Sequence, residues 1–253
     1  MPLDRREFLS LAIGAVTANL AGQQPASAAA RQSIKAIALD AFTTFDARSV
    51  FAVAEQLFPG RGAELGSIWR TRQFEYQWLR AASGHYADFW QATEGGLVFA
   101  AKQLKLDLTA DKREQLMGAY LAMKAWPDSA PALRSMRTSG LRLALLSNAT
   151  PQLLDAWIGN TNLGGVFEHV LSTDAIRTYK PDPRAYQLGL DAFGLTRDQI
   201  AFAAFGGWDA AGAKWFGYPT FWVNRMGQPV EELGVAPDGI GSTLADLVSF
   251  VGA

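Results

Sequence analysis

The segment IKAIALDAFTTFD, residues 34–46, joins a short apolar run to an aspartate followed by small and hydroxyl residues. An apolar run of this length, Ile34–Leu39, with polar residues behind it predicts a buried β-strand. Asp40 then stands at the carboxyl end of that strand, beside hydroxyls and free backbone N–H groups. A carboxylate in this place acts as a nucleophile when a lysine or arginine keeps it ionised, or it only caps the following turn.

Further apolar runs bounded by turn signals predict four more strands: Leu141–Leu146, His169–Leu171, Ile200–Phe205 and Thr220–Val223. Helix-like segments separate them: Asp128–Ser139, Pro151–Asn160, Pro183–Phe193 and Asp209–Phe216. Strands that alternate with helices predict an α/β fold with a Rossmann-like parallel sheet. Such sheets bind ligands at the carboxyl ends of their strands. Polar residues follow the predicted strands there: Ser147, Asn148, Lys180 and Asp209.

Residues 47–126 have a different pattern, with long amphipathic stretches and no clear strand: Glu64–Ala82, Phe89–Leu104 and Thr109–Met123. We predict that residues 47–126 form an all-helical cap inserted into an α/β core of residues 31–46 and 127–253. Aromatic side chains at helical spacing usually pack in a core. We therefore expect the aromatic residues of this segment to lie in the core or at the cap–core interface: Trp69, Phe74, Tyr76, Trp78, Tyr86, Phe89 and Trp90.

The composition excludes several classes of function. Lys and Arg total 23 and Asp and Glu total 24, a balance that argues against nucleic acid as a partner. The chain has no cysteine and two histidines, which excludes disulfides, thiolate zinc sites and histidine-rich metal centres. The sequence also lacks a P-loop and a G-x-S-x-G elbow. The chemistry must therefore use carboxylates, lysine, arginine and hydroxyls, and we predict no metal and no cofactor.

Residues 1–30 resemble a twin-arginine signal peptide. Arg5 and Arg6 precede Phe8, a weakly apolar run extends over Leu9–Ala21, and small residues at 25–28 provide an A-x-A cleavage pattern. The apolar run is too short to span a bilayer, so we expect no stable membrane anchoring. The resemblance implies the twin-arginine (Tat) export machinery as a partner and a periplasmic location. The alternative is a free amphipathic N-terminal helix.

Four motifs in the remaining chain resemble, in order and spacing, those of the haloacid dehalogenase superfamily. They are Asp40…Thr44, Ser147-Asn148, Lys180-Pro181-Asp182-Pro183 and Gly207-Trp208-Asp209. Further segments are similar to type II (S)-2-haloacid dehalogenases: residues 57–62, Trp69-Arg70, residues 74–80, 179–186 and 208–213. The resemblance covers nearly all of residues 34–250. It implies hydrolysis of short-chain L-2-haloacids to 2-hydroxy acids with inversion and without a cofactor, and it suggests a homodimer formed through the helical cap.

Phe42 separates the dehalogenase hypothesis from the phosphatase hypothesis. Phosphatases of the superfamily carry a second aspartate two residues after the nucleophile, as general acid and magnesium neighbour. Without that acid, Asp209 alone in the fourth motif leaves a Mg²⁺ cage short of oxygen ligands, and phosphoryl transfer loses its main charge stabilisation. An apolar Phe42 suits a carbon–halogen bond, whose cleavage needs a dry pocket and no protonation of the leaving group.

The resemblance also implies a role for each site residue. Asp40 attacks the halogen-bearing carbon and forms an aspartyl ester, while Thr44 and Lys180 hold it as the anion. Asp209 positions or activates the water that hydrolyses the ester, and Ser147 holds the substrate carboxylate with nearby backbone amides. The remaining residues surround the halide and the substrate: Arg70, Asn148 and Phe89 cradle the halide, Phe42, Phe74 and Trp208 form apolar walls, and Tyr186 supports Lys180.

The chain departs from the family pattern before the tryptophan of the fourth motif. Ala204 and Gly206 occupy positions where the family carries Ser and Asn, which help to hold the nucleophile and the hydrolytic water. Loss of one preorganised hydrogen bond can cost on the order of 10²-fold in rate, so we expect Ala204→Ser combined with Gly206→Asn to raise ester hydrolysis. Two other hypotheses remain open: a different hydrolase on the same scaffold, such as a phosphatase, and a catalytically weakened periplasmic binder of small carboxylates.

Overall fold

A six-stranded parallel sheet forms the centre of the computed structural model, which describes residues 34–253. Its strands are β1 (Ala36–Leu39), β4 (Arg142–Ser147), β5 (His169–Ser172), β6 (Ile200–Ala204), β7 (Thr220–Val223) and β8 (Gly239–Gly241). The order across the sheet is β5-β4-β1-β6-β7-β8, and every neighbouring pair is parallel. The α/β fold with a Rossmann-like parallel sheet is confirmed. The proposed signal peptide, residues 1–30, lies outside the described residues.

Helices connect the strands of the sheet and cover both of its faces. They are α1 (Ala41–Thr44), α6 (Ser129–Thr138), α7 (Pro151–Gly159), α8 (Pro183–Phe193), α9 (Gly207–Phe216) and α10 (Leu244–Val251). Short 3₁₀ turns cover Thr173–Ile176 and Arg197–Gln199. Two of the helices begin with the local signal that the sequence carries, a capping side chain followed by proline at the first helical position. Thr150 caps α7 ahead of Pro151, and Asp182 caps α8 ahead of Pro183.

Four helices lie between two short strands, β2 (Phe45–Asp46) and β3 (Lys124–Ala125), in the middle of the chain. The helices are α2 (Arg48–Leu57), α3 (Gly62–Ser83), α4 (Phe89–Gln103) and α5 (Ala110–Leu121). Strands β2 and β3 pair antiparallel, so the helical segment leaves and re-enters the α/β part at one place. The predicted helices correspond to α3, α4 and α5, whereas α2 was not predicted. The division into a core and a cap as separate domains stays a prediction.

Two apolar clusters fill the space on the two faces of the sheet. Ile37 and Leu39 of β1 point into the larger cluster, which continues into the helical segment, while Ala36 and Ala38 point into the smaller one. Alternation of this kind is the period-2 geometry of a strand that is buried on both faces. Most of the aromatic residues expected to be buried pack as predicted, and Trp69 and Phe89 are fully buried. Within residues 34–253, no helix is long and apolar enough to cross a membrane.

Candidate active site

Asp40 lies at the carboxyl end of β1, next to the end of β4 in the centre of the sheet. The residue caps α1, and its Oδ2 accepts the backbone N–H of Phe42 at 3.1 Å. The hydroxyl of Thr43 donates to the main-chain oxygen of Asp40 at 2.7 Å. One carboxylate oxygen and the backbone of Asp40 are therefore held by the adjacent turn, and Oδ1 faces Lys180.

Lys180 is a fully buried cation that joins two carboxylates. Its Nζ donates to Asp40 Oδ1 at 2.7 Å, to Asp209 Oδ2 at 2.6 Å and to the main-chain oxygen of Leu146 at 3.2 Å. Burial acts to lower the pKa of Lys180, but the charges of Asp209 and Asp40 outweigh burial and raise the pKa above its ordinary value. Lys180 therefore stays protonated and holds the Asp40 carboxylate in place. The sequence-based pairing of Lys180 with Asp40 is present in the structure.

Asp209, near the start of α9, has both carboxylate oxygens engaged. Lys180 donates to Oδ2, and the hydroxyl of Tyr186 donates to Oδ1 at 2.8 Å. Burial, with repulsion from Asp40, raises the pKa of Asp209 to about 6, although Lys180 opposes this shift. Tyr186 was expected to support Lys180; its hydroxyl contacts Asp209 instead and acts on the lysine only through that carboxylate. Asp209 is thus held rigidly in an environment that raises its affinity for a proton.

The two hydroxyl residues predicted for the site are buried, and neither contacts the Asp40 carboxylate through a hydrogen bond of the described residues. Thr44 Oγ1 lies 3.5 Å from Thr43 Oγ1, and it is Thr43 that bonds to the Asp40 main chain. Ser147 ends β4, and its hydroxyl oxygen accepts the N–H of Ala149 at 3.1 Å. The hydroxyl proton of Ser147 therefore remains available to donate to a ligand.

A small cavity of about 20 Å³ lies above Asp40. Eight of the residues predicted from the sequence line it together: Asp40, Phe42, Arg70, Phe74, Phe89, Asn148, Trp208 and Asp209. Lys180 and Tyr186 lie behind the two carboxylates rather than on the cavity wall. Two further residues, Phe205 and Gly206, complete the lining. Five of the ten lining residues are aromatic, so the cavity beside the Asp40 carboxylate is largely apolar.

Arg70 of α3 places a cation at this cavity. Within residues 34–253 its guanidinium forms no ion pair. It makes cation–π contacts with Phe74 and Phe205, whose ring centroids lie 5.7 Å and 5.9 Å from Arg70 Cζ. Burial lowers the pKa of Arg70 from its ordinary value, but a guanidinium remains charged at neutral pH. A charge without a protein counter-ion, beside an aromatic cavity, is suited to binding an anion.

Asn148 follows β4 and is oriented by three neighbours. Its Oδ1 accepts the backbone N–H of Lys180 at 2.9 Å and the hydroxyl of Thr173 at 3.3 Å. Its Nδ2 donates to Oε1 of Gln77, a residue of α3, at 3.1 Å. The carboxamide of Asn148 thus links the sheet to the helical segment at the edge of the cavity.

Comparison with known proteins agrees with this geometry. The sequence model of the haloacid dehalogenase-like hydrolase family matches residues 15–217 of the chain. The chain belongs to that family. Within it, the chain is 45% identical over 218 residues to the (S)-2-haloacid dehalogenase of Pseudomonas sp. strain YL, which is 86% of this chain and 94% of that protein. It is 41% identical over 208 residues to haloacetate dehalogenase H-2 of Moraxella sp. strain B, covering 82% of this chain and 93% of that protein.

Solved structures of dehalogenases have the same fold as this haloacid dehalogenase-like hydrolase. An L-2-haloacid dehalogenase crystal structure matches with a TM-score of 0.86 and 45% identity, covering 87% of this chain and all of that chain. The Xanthobacter autotrophicus L-2-haloacid dehalogenase with chloropropionic acid covalently bound matches with a TM-score of 0.81 and 33% identity, covering 87% and 99%. The resemblance to (S)-2-haloacid dehalogenases inferred from the motifs is confirmed.

Some residues at the site of this haloacid dehalogenase-like hydrolase were not predicted from the sequence. Gly206, which the sequence singled out as a departure from the family pattern, lines the cavity, but Phe205 was not predicted. Phe205 follows β6 at the same sheet edge as Asp40, and that position was a signal that could have found it. Gln77 is a fully buried polar residue inside an amphipathic helix, and its spacing from Gln73 placed it on the buried face. Its partner Asn148 lies 71 residues further along the chain, so only the folded structure reveals the contact.

The two acidic residues of the site form ion pairs with the same lysine. Asp40 and Asp209 each direct one oxygen at Lys180, and the side chain two positions after Asp40 is Phe42. Within residues 34–253, the structure has no group of three or more His, Asp or Glu side chains that could hold a metal ion.

Proposed function

We propose that the protein hydrolyses short-chain L-2-haloacids to 2-hydroxy acids with inversion, without a cofactor, through an ester on Asp40. One observation carries this proposal: the Asp40–Lys180–Asp209 arrangement opens into an apolar cavity that also contains the unpaired Arg70. A fixed carboxylate supplies the nucleophile, a buried lysine keeps it ionised, and a free cation receives the halide. Two curated relatives, at 45% and 41% identity, are dehalogenases of 2-haloacids and haloacetate.

In the first step, an Asp40 carboxylate oxygen attacks C2 of the substrate from the side opposite the halogen. The new C–O bond forms as the carbon–halogen bond breaks, and the halide leaves with the electron pair of that bond. Arg70, Asn148 and the ring edge of Phe89 receive the halide. Because the leaving group departs as an anion, no proton donor is needed, and the aromatic cavity increases the strength of the guanidinium–halide attraction. Ser147 and nearby backbone amides hold the substrate carboxylate.

In the second step, water attacks the carbonyl carbon of the Asp40 ester. Asp209 takes a proton from the water through a lone pair that Lys180 and Tyr186 leave free. The bond between the Asp40 carbonyl carbon and the product oxygen then breaks, and that oxygen takes the proton held by Asp209 and becomes the hydroxyl of the 2-hydroxy acid. The other proton of the water is lost from the restored Asp40 carboxyl to solvent. The substrate carbon is attacked once only, in the first step, so its configuration is inverted in the product.

The cavity wall favours dehalogenation over phosphoryl transfer. Phe42 stands where a superfamily phosphatase needs an aspartate, and its ring packs at 6.4 Å from Phe89, 5.7 Å from Trp157 and 6.0 Å from Phe205. An acid at this position would be surrounded by rings. The cavity of about 20 Å³ beside Asp40 has room for about one water molecule, which is in keeping with a small substrate.

We further propose the organisation and location of the chain. Residues 1–30 direct export to the periplasm through the Tat machinery, residues 31–46 and 127–253 form the core domain, and residues 47–126 form the cap domain. A homodimer forms through the cap, where Leu79 of α3 has 63% of its surface exposed. The oligomeric state is measured by light scattering on the mature protein, and a monomer across micromolar concentrations would contradict the homodimer.

Halide release tests the proposed activity. The mature protein, from Arg31 onward, is incubated with L- and D-2-chloropropionate and with haloacetates in the presence of EDTA, with Asp40→Asn as the control. We expect release from the L-acid that the control lacks. If halide release stops at about one equivalent per protein and the Asp40 peptide carries the acid as an ester, attack proceeds and ester hydrolysis fails. If neither halide nor adduct appears, the proposed activity is wrong.

A further inference from the structure

Gln77 is a buried glutamine of α3 with a hydrogen bond to the cavity residue Asn148. Its side chain is completely inaccessible to solvent, and its Oε1 accepts a hydrogen from Asn148 Nδ2 at 3.1 Å. The residue does not line the cavity itself. Any effect of Gln77 on the reaction must therefore pass through Asn148.

The neighbouring hydrogen bonds determine which way both carboxamides face. The backbone N–H of Lys180 can only donate, so the atom of Asn148 that it meets at 2.9 Å must be the oxygen. The nitrogen of Asn148 then faces Gln77, and the atom of Gln77 that it meets must also be an oxygen. The orientation of Gln77 is therefore a consequence of the Lys180 backbone.

Gln77 retains this orientation although its own nitrogen is left without a partner. Nε2 is buried and has no hydrogen-bond partner among residues 34–253, and such an unmet donor costs stability. A leucine or methionine at position 77 would avoid that cost. Unlike leucine or methionine, glutamine presents an acceptor oxygen to Asn148.

The helix that carries Gln77 also carries Arg70. The two residues are seven positions apart, which is close to two full turns, so they lie on nearly the same face of α3. One helix thus supplies both the cation of the cavity and the acceptor that orients Asn148. The two sides of the proposed halide site are therefore assembled by the docking of one element against the sheet.

We propose that Gln77 is a positioning residue for halide departure: it engages one hydrogen of Asn148 Nδ2 so that the other is directed at the leaving halide. The inference rests on the proposed dehalogenase function. Loss of the Gln77 oxygen leaves Asn148 free to rotate about its Oδ1 contacts and weakens its hydrogen bond to the halide. The effect is largest for chloride, the poorest leaving group of those compared, and smallest for iodide.

The test compares leaving groups within each variant. In Gln77→Met, which keeps the side-chain length and removes the acceptor, we expect the ratio of kcat/KM for 2-chloropropionate to that for 2-iodopropionate to fall about 3- to 10-fold, the equivalent of one hydrogen bond. A purely structural loss would lower both values and leave the ratio unchanged. Gln77→Leu is the second variant if Gln77→Met does not fold.

Two controls decide the interpretation. Gln73→Met removes the neighbouring buried glutamine of α3, whose Nε2 donates to Thr93 and not to Asn148, and it is expected to leave the ratio unchanged. In the Asn148→Ala background, Gln77→Met is expected to cause no further change in the ratio. An unchanged ratio in Gln77→Met, or an equal fall in the Asn148→Ala background, overturns the inference. A wild-type protein that releases no halide overturns the proposed function instead.

Discussion

Asp209 holds a proton more tightly in the folded protein than in the unfolded chain, because burial raises its pKa from an ordinary 3.8 to about 6. A group with a raised carboxyl pKa favours the folded state at low pH, and this contribution is lost as the pH rises through the folded pKa. Between pH 4 and pH 7, the Asp209 carboxyl therefore makes folding progressively less favourable. The Asp209 carboxylate beside Asp40 therefore lowers the stability of the folded protein at neutral pH.

The first prediction follows from that sign. The free energy of unfolding of the wild type, minus that of Asp209→Asn, is expected to decrease by on the order of 1–3 kcal/mol from pH 4 to pH 7. Urea unfolding at several pH values measures both proteins. A difference that stays constant, or that increases with pH, would mean that Asp209 has an ordinary or lowered pKa.

The second prediction concerns Gly206. The sequence suggested that Ala204→Ser with Gly206→Asn would raise ester hydrolysis, but a Cβ on residue 206 would lie 2.7 Å from Nε1 of Trp208. The tryptophan packs edge-on against Phe74 at 5.5 Å and has little freedom to move. We therefore expect Gly206→Asn alone to lower kcat/KM for L-2-chloropropionate.

The matched control for this variant removes the clashing atom. Trp208→Phe combined with Gly206→Asn is expected to recover activity relative to Gly206→Asn, whereas Ala204→Ser alone, at the end of β6, adds a hydroxyl without contacting Trp208. Steady-state kinetics on the wild type, Gly206→Asn, Ala204→Ser and the Trp208→Phe double variant measure kcat/KM for each. Full activity in Gly206→Asn would show that the tryptophan can move at no cost.

At the level of elements, local signals predicted most of the fold. Strand β1 was predicted from an apolar run and helix α8 as a helix-like segment between strands, and both are present within two residues of the expected bounds. Strand β8 is Gly-Ile-Gly, which is too short for a periodic pattern, and helix α2 begins without a side-chain cap. Helix α10 was not predicted although it carries local signals: a capping box of Thr243 and Asp246, and buried apolar residues at Leu244, Leu247 and Val251.

The site was predictable in part, because several of its residues follow predicted strands. Asp40, Lys180 and Asp209 follow predicted strands, so the rule for parallel sheets brought them together before any coordinates. The partners of Asn148 and the true partner of Tyr186 depend on side-chain directions within the folded protein. No sequence spacing encodes the 71-residue separation between Gln77 and Asn148.

Arg225 connects elements that lie around the nucleophile turn, and it carries the third prediction. Only 5% of its side chain is exposed; it donates to both carboxylate oxygens of Asp128 and to the main-chain oxygen of Thr43. Asp128 also accepts the N–H of Leu244 at the start of α10. We expect Arg225→Met to destabilise the protein by roughly 1–3 kcal/mol, because the main-chain oxygen of the buried Thr43 and the partly buried Asp128 carboxylate lose their donor.

An exposed arginine with the same type of partner is the control for Arg225. Arg184 pairs with Asp182 but has 70% of its side chain exposed. We expect Arg184→Met to change the free energy of unfolding by less than about 1 kcal/mol. If urea unfolding gives equal effects for the two variants, burial of the Arg225 pair does not determine its contribution.

For the whole molecule, the helical segment and the sheet part are joined by hydrogen bonds between distant residues. Trp78 Nε1 donates to the Lys180 main-chain oxygen at 3.2 Å, and the Tyr86 hydroxyl donates to Asp174 at 2.6 Å. Trp157 Nε1 donates to the main-chain oxygen of Tyr120. These bonds hold α3 and its neighbours over the catalytic carboxylates, so the closed cavity is a property of the assembled chain.

The fourth prediction concerns export of the folded molecule. Replacing Arg5 and Arg6 by lysine is expected to leave the protein in the cytoplasm of its host, because paired arginines are the feature that defines this signal class. Cell fractionation with halide release as the readout measures the location. Undiminished periplasmic protein in the double variant would contradict a twin-arginine route. The chain has no cysteine, so export to an oxidising compartment would add no disulfide to the fold.

The lysine shared by two carboxylates also bears on the order of the two proposed steps. The negative charge of Asp40 is one cause of the raised pKa of Asp209, and the proposed esterification removes that charge. In the proposed ester, Lys180 has a single carboxylate left to neutralise, so we expect the pKa of Asp209 to fall and its carboxylate to become more fully ionised. Under the proposed mechanism, the base is then most fully ionised at the stage when there is an ester for water to hydrolyse.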